Sequence, residues 1–153
     1  MLLVMATVAS NKRLFTYYQR DSDDNHKYYQ EFCAHVETLE TYGGIGAIGI
    51  TPTFLTAKLK ELEMDKTIQD ATSPTDAERL IAIKQCRDEF LGCLMLSRAN
   101  QDRYAGLKSD LNNQYGYGKD LYPKLPHACL SLLNRRSDAP LLQPRSTPTT
   151  LTQ

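Results

Sequence analysis

The chain has 153 residues, of which 41% are hydrophobic and 24% charged, enough to bury the core of one domain or two small helical subdomains. Its 18 basic and 18 acidic side chains cancel, so no global field draws it to nucleic acid or to an acidic membrane. The four cysteines, Cys33, Cys86, Cys93 and Cys129, form no C-x-x-C pair and have no histidine at ligand spacing, which argues against a zinc site and for reduced, mostly buried thiols in a cytoplasmic protein.

The apolar start, MLLVMATVAS, has its basic residues Lys12 and Arg13 after the apolar run, where a secretory signal would have them before it. No segment approaches the roughly 20 apolar residues of a membrane span, so no membrane partner is expected. Residues 2–19 read as a helix ending in Leu14, Phe15 and Tyr18. The polar run 21–25 then offers Asp23 or Asp24 as an N-cap. Over 25–42, Tyr29, Phe32, Val36 and Leu39 recur at helical steps, and Gly43-Gly44 marks a left-handed C-cap.

Residues 43–50 read as a flexible Gly-rich connection, and Thr51-Pro52 opens a short helix to about Glu63. A polar linker follows to Thr72. Ser73-Pro74-Thr75-Asp76 predicts a helix start with Ser73 as cap and Pro74 at the first position. The helix after it runs to about Ser97, with Leu80, Ile83, Cys86, Phe90, Cys93 and Leu94 as its expected buried stripe. Another spans about 101–114, with Tyr104, Leu107, Leu111 and Tyr115 on one side. Tyr115–Tyr122, with two glycines, reads as a loop. A last helix covers about 125–136 with Cys129, Leu132 and Leu133 inward. From Ser137 the Pro-, Ser- and Thr-rich composition predicts a disordered tail.

The predicted architecture is therefore all-α, a small bundle of five to six helices. Its segments are 1–72 (N-terminal helices with the 43–50 loop), 73–136 (C-terminal helical subdomain) and 137–153 (tail).

The string 44–49 matches G-x-G-x-x-G, but it follows an amphipathic helix and not a buried strand, so the plain reading is a loop and no nucleotide cofactor is expected. His26, His35 and His127 have no hydrolase motif around them and read as structural or surface residues. The pairs Tyr17-Tyr18 and Tyr28-Tyr29 lack the interleaved cations of a base-stacking surface, so one ring of each pair is expected to pack inward. From Lys119 onward there are five basic residues against two acids. Lys124, Arg135, Arg136 and Arg145 are thus the candidates for a weak, salt-sensitive RNA contact.

Two blocks carry a family resemblance. The first is Lys12–Gly44, with Gln19 after an aromatic helix, a polar break, then Tyr29 and Phe32. The second is Phe90–Arg136, with Asp102-Arg103-Tyr104, Leu107, Leu111, Tyr115, Gly118, Asp120, Tyr122, Pro123, Leu132 and Leu133 in order. Together they resemble the Gag protein of copia-type retrotransposons, over about half the chain. The resemblance implies a retroviral-capsid-like helical fragment, similar to the later half of the capsid region, that forms homo-oligomers in particle assembly. An enzymatic reading has no residue constellation behind it, and no small-molecule substrate is expected. The family's zinc knuckle, C-x2-C-x4-H-x4-C, does not follow the last helix, and no Asp-Ser/Thr-Gly protease motif is present.

Overall fold

In a computed structural model the chain is all-helical, described here over residues 3–45, 48–62 and 74–136. The order is α1 (Leu3–Thr16), α2 (Asn25–Gly43), α3 (Pro52–Glu61), α4 (Asp76–Ser97), α5 (Gln101–Gly116) and α6 (Pro126–Arg135). The predicted tail, Arg145 and the 63–72 part of the predicted linker lie outside the described residues. Helix α1 packs on α2, α3 on α4, and α6 on both α2 and α4. One buried cluster joins both halves of the chain, from Leu14, Phe32 and Leu39 to Met95, Leu107 and Leu133.

The helix starts follow local chemistry. Asp24 caps α2 by accepting the Lys27 N–H at 2.7 Å, and Thr51 caps α3 with Pro52 in its first turn. The start of α4 lies two residues later than expected. Thr75, and not Ser73, is the N-cap, because Glu78 at the third helical position closes a reciprocal capping box with it. Pro74 therefore precedes the cap. At the end of α2, Gly44 has the positive φ expected (75°), but its ψ of 177° is extended and not left-handed helical.

Which face each helix buries departs from expectation where tertiary contacts compete with periodicity. Helix α1 stops at Thr16 because the following backbone is claimed elsewhere: the Gln19 N–H donates to the Arg98 carbonyl at 3.0 Å, and the Arg98 guanidinium donates to the carbonyls of Thr16 and Tyr17. Tyr18 is left exposed. In α2 the buried ring is Tyr28, whose hydroxyl donates to the Met95 carbonyl at 2.7 Å, while Tyr29 is only half-buried. One ring of each tyrosine pair does turn inward, Tyr17 and Tyr28, stacked with centroids 5.6 Å apart.

Helix α4 buries Ala82, Cys86, Leu91, Gly92, Met95 and Leu96. Of the expected stripe only Cys86 is fully buried, and Leu80 and Cys93 are exposed. Apolar residues surround this helix, so spacing alone does not select a face; the packing of α3 and α6 does. Helix α5 continues through Gly116 and leaves Tyr115 exposed, its ring edge-on to Tyr122 at 6.1 Å. In α6 it is Leu130 that is buried beside Cys129 and Leu133, with Leu132 only partly so. The Gly-rich connection is not merely a spacer. Ile48 enters the core, and Gly49, at φ 58°, sits under the Phe90 ring.

Candidate functional site

Three places concentrate polar or ionisable side chains. The first is a buried joint between the α1–α2 connection and the start of α5. Gln19, Asp23, Asn100 and Arg103 are all buried there. Gln19 accepts the Asn100 N–H at 3.0 Å and donates to the Asp23 carbonyl and the Asn25 side chain. Asn100 caps α5 by accepting the Arg103 N–H and donates to the Asp21 carboxylate at 2.8 Å. Arg103 donates to the carbonyls of Arg20 and Asp23, and the Tyr104 hydroxyl donates to Asn25 at 2.7 Å. Among the described residues the Arg103 Nε has no hydrogen-bond partner, so burying this cation is not fully compensated.

The Asp102-Arg103-Tyr104 motif is thus split in role. Arg103 and Tyr104 brace the joint, and Asp102 is exposed. Leu107 and Leu111 continue the same helix into the core. Sequence reasoning missed Gln19 and Asn100 as members of this joint. Their partners lie about eighty positions away, and no periodicity signals such a pairing.

The second place is a cleft of about 370 Å³ between α2, α4 and α6. Tyr29, Val36, Leu91 and Leu125 give it an apolar lining, and Glu37, Glu40, Arg87, Asp88, Cys33 and His127 add polar groups. Arg87 grips Glu40 with two hydrogen bonds, at 2.7 and 2.9 Å, and also donates to Asp88. The bonds to Glu40 hold the Arg87 charge in place and push the guanidinium pKa further up. Burial raises the Cys33 thiol pKa, the reverse of the lowering that activates a nucleophile. His127 stands edge-on to Tyr29 at 6.1 Å.

The third place is the charged surface around residues 119–136. Lys124 is tied to Asp120 and lies 3.9 Å from Glu89; Arg136 donates to Asp110 at 3.1 Å. Arg135 is exposed. Glu89 also binds the buried Lys58 of α3, which Glu61 holds from the other side at 3.2 Å. Burial opposes the Lys58 charge, but hydrogen bonds to Glu89 and Glu61 outweigh it and raise its pKa. Asp120 also accepts the Tyr122 N–H at 3.1 Å, and the adjoining Pro123 is buried against α4. The candidate RNA contacts Lys124 and Arg136 are thereby partly neutralised by acids of this same chain.

The cysteines differ in access. Cys93 is exposed, although its sulfur leans on the Pro123 carbonyl at 3.8 Å, and burial on that side raises its pKa. Cys86 and Cys129 are buried, with Cys129 pushed up to about 12. In the native state a maleimide is therefore expected to label Cys93 first and the half-buried Cys33 more slowly. Cys86 and Cys129 should react only after denaturation. Mass spectrometry of timed samples checks the order, and early labelling of Cys129 would contradict the packing of α6.

Among the described residues, no group of three His, Cys, Asp or Glu side chains could hold a metal ion, and no helix is long and apolar enough to cross a membrane. Comparison of the chain with family models, curated proteins and solved structures finds no match in any of the three.

Proposed function

We propose that the chain is a structural, non-catalytic helical module that works by associating with copies of itself, the role its resemblance to copia-type Gag implies. The observation that carries this reading is the inside-out burial of α1. The helix turns its small residues Ala6 and Ser10 inward, together with Leu14. The large apolar residues of its first two turns face solvent: Leu3 at 63% exposure, Val4 at 70%, Met5 at 55% and Val8 at 54%. An amphipathic surface helix normally does the opposite. Large apolar side chains exposed together on one helix in this way support an interaction surface.

Burying these side chains against a second copy removes apolar area from water, at about 25 cal/mol per Å². The polar joint and the cleft contribute a rigid frame to this reading; neither holds an activated nucleophile among the groups described above. Light scattering over a concentration series tests it. The wild-type chain is expected to grow in mass with concentration, and the V4E/V8E variant to stay monomeric with unchanged helical content. A wild type that is monomeric throughout overturns the proposal. If such a monomer still bound RNA through Arg135 and Arg136, the nucleic-acid reading would take its place.

A further inference from the structure

We infer that the surface receiving the outer face of α1 is the α2–α4–α6 cleft of a second copy, so that association runs head to tail. The inference rests on the self-association reading and names the surface that completes it. On the donating side, Val4, Val8 and Lys12 recur at i, i+4 and i+8, which places them on one exposed stripe of α1. Arg13 is exposed beside it, and α1 contains no acidic residue. The helix therefore offers an apolar strip with positive charge toward its C-terminal end.

On the receiving side the cleft has the complementary character. Tyr29, Val36 and Leu125 supply apolar walls. Glu37, Glu40 and Asp88 set three carboxylates against the single guanidinium of Arg87. A cleft of about 370 Å³ admits side chains such as Val4 and Val8 while the helix backbone lies across its mouth. Lys12 then meets the acidic excess, an arrangement that steers encounter and fixes register.

The two surfaces of one copy cannot satisfy each other. Helix α1 leads into Tyr17, which hydrogen-bonds Glu31 at 2.6 Å and touches His35, on one side of α2. The cleft opens on another side of α2, where Tyr29, Cys33 and Glu37 lie. Two unlike surfaces turned apart make a heterologous contact. Each added copy leaves one donor and one receiver free, so growth continues until a ring closes or a filament forms.

Charge exchange tests the pairing. K12E/R13E makes the donor acidic, and E37K/D88K makes the receiver basic. Each variant alone is expected to self-associate at least about tenfold more weakly than wild type, because like charges then face each other. An equimolar mixture of the two is expected to associate again, since each donor now matches the other's receiver. Circular dichroism establishes that each variant is folded, and E37K alone replaces the double variant if that one is not. If V4E/V8E dissociates the oligomer while the charge variants associate like wild type and the mixture gains nothing, this pairing is overturned and self-association through α1 stands. If wild type itself never associates, both fail together.

Discussion

Replacing Gln19 with Ala is expected to lower the stability of the fold by about 3 kcal/mol, a fall of roughly 10 °C in melting temperature. Three hydrogen bonds are lost, those to Asn100, Asp23 and Asn25. They are not equal. The Asp23 carbonyl retains Arg103, and Asn25 retains the Tyr104 hydroxyl. The Asn100 N–H retains nothing, and an orphaned buried donor costs about 1–3 kcal/mol. The two shared bonds add only about 0.5 kcal/mol each, because their acceptors keep a partner. Gln19→Leu separates this account from simple loss of volume. It fills the space but accepts no hydrogen bond, so it should be destabilised to a similar degree. Urea unfolding measures both variants, through a lower midpoint at unchanged slope. A Leu variant as stable as wild type would rule out the polar explanation.

The second large effect is expected at Gly92. This buried glycine lies where α4 meets the turn before α6. A Cβ there would stand 2.9 Å from both the Leu125 nitrogen and the Pro123 oxygen. These are backbone atoms, so they cannot move aside by a change of rotamer. Gly92→Val should therefore cost about 3 kcal/mol, the upper part of the usual overpacking range. Only a few tenths return from better helix propensity. Because Leu125 lines the cleft and Pro123 shields the Cys93 sulfur, the same substitution should speed maleimide labelling of Cys93. Gly116→Ala is the control. Nothing lies within 4 Å of its added Cβ, so stability should hold or rise slightly. Equal losses in the two variants would contradict the close approach at Gly92.

These expectations depend on features that the sequence reveals unevenly. Local chemistry is legible. Asp24 and Thr51 are caps because a short polar side chain precedes a run with helical period. Phe32, Val36 and Leu39 are core because α2 has only one apolar face. Helix α4 is the opposite case: with Leu80, Ile81, Phe90, Leu91, Met95 and Leu96 spread around it, the buried face is decided by what packs there. Tyr115 follows the same lesson. It shares the spacing of Leu107 and Leu111, but among the described residues no element covers the last turn of α5, so its ring stays exposed beside Tyr122.

The joint and the cleft were less legible still. Glu40 and Arg87 are an acid and a base on two different helices, and only their approach makes them a pair. Arg103 looks like an ordinary surface cation, since arginine is seldom fully buried. Its burial follows from two backbone carbonyls of the α1–α2 connection, groups present at every position of any chain. For the candidate assembly surfaces the signal was present but ambiguous. The apolar run at the N-terminus is visible, while its outward orientation depends on how Leu14 and Ser10 dock.

The polar joint also sets a timetable for a chain made from its N-terminus. Gln19 accepts a hydrogen bond from a residue 81 positions later, and the carbonyl of Arg20 accepts one from a residue 83 positions later. At a synthesis rate of about 5–20 residues per second, those partners emerge roughly 4–16 seconds afterwards. For most of that interval α1 and α2 are complete as sequence but lack the groups that fasten their connection. The outward-facing apolar residues of α1 are then exposed on a segment not yet locked in place. On the proposed pairing of copies through α1, a nascent chain is open to premature association until Arg103 has left the ribosome.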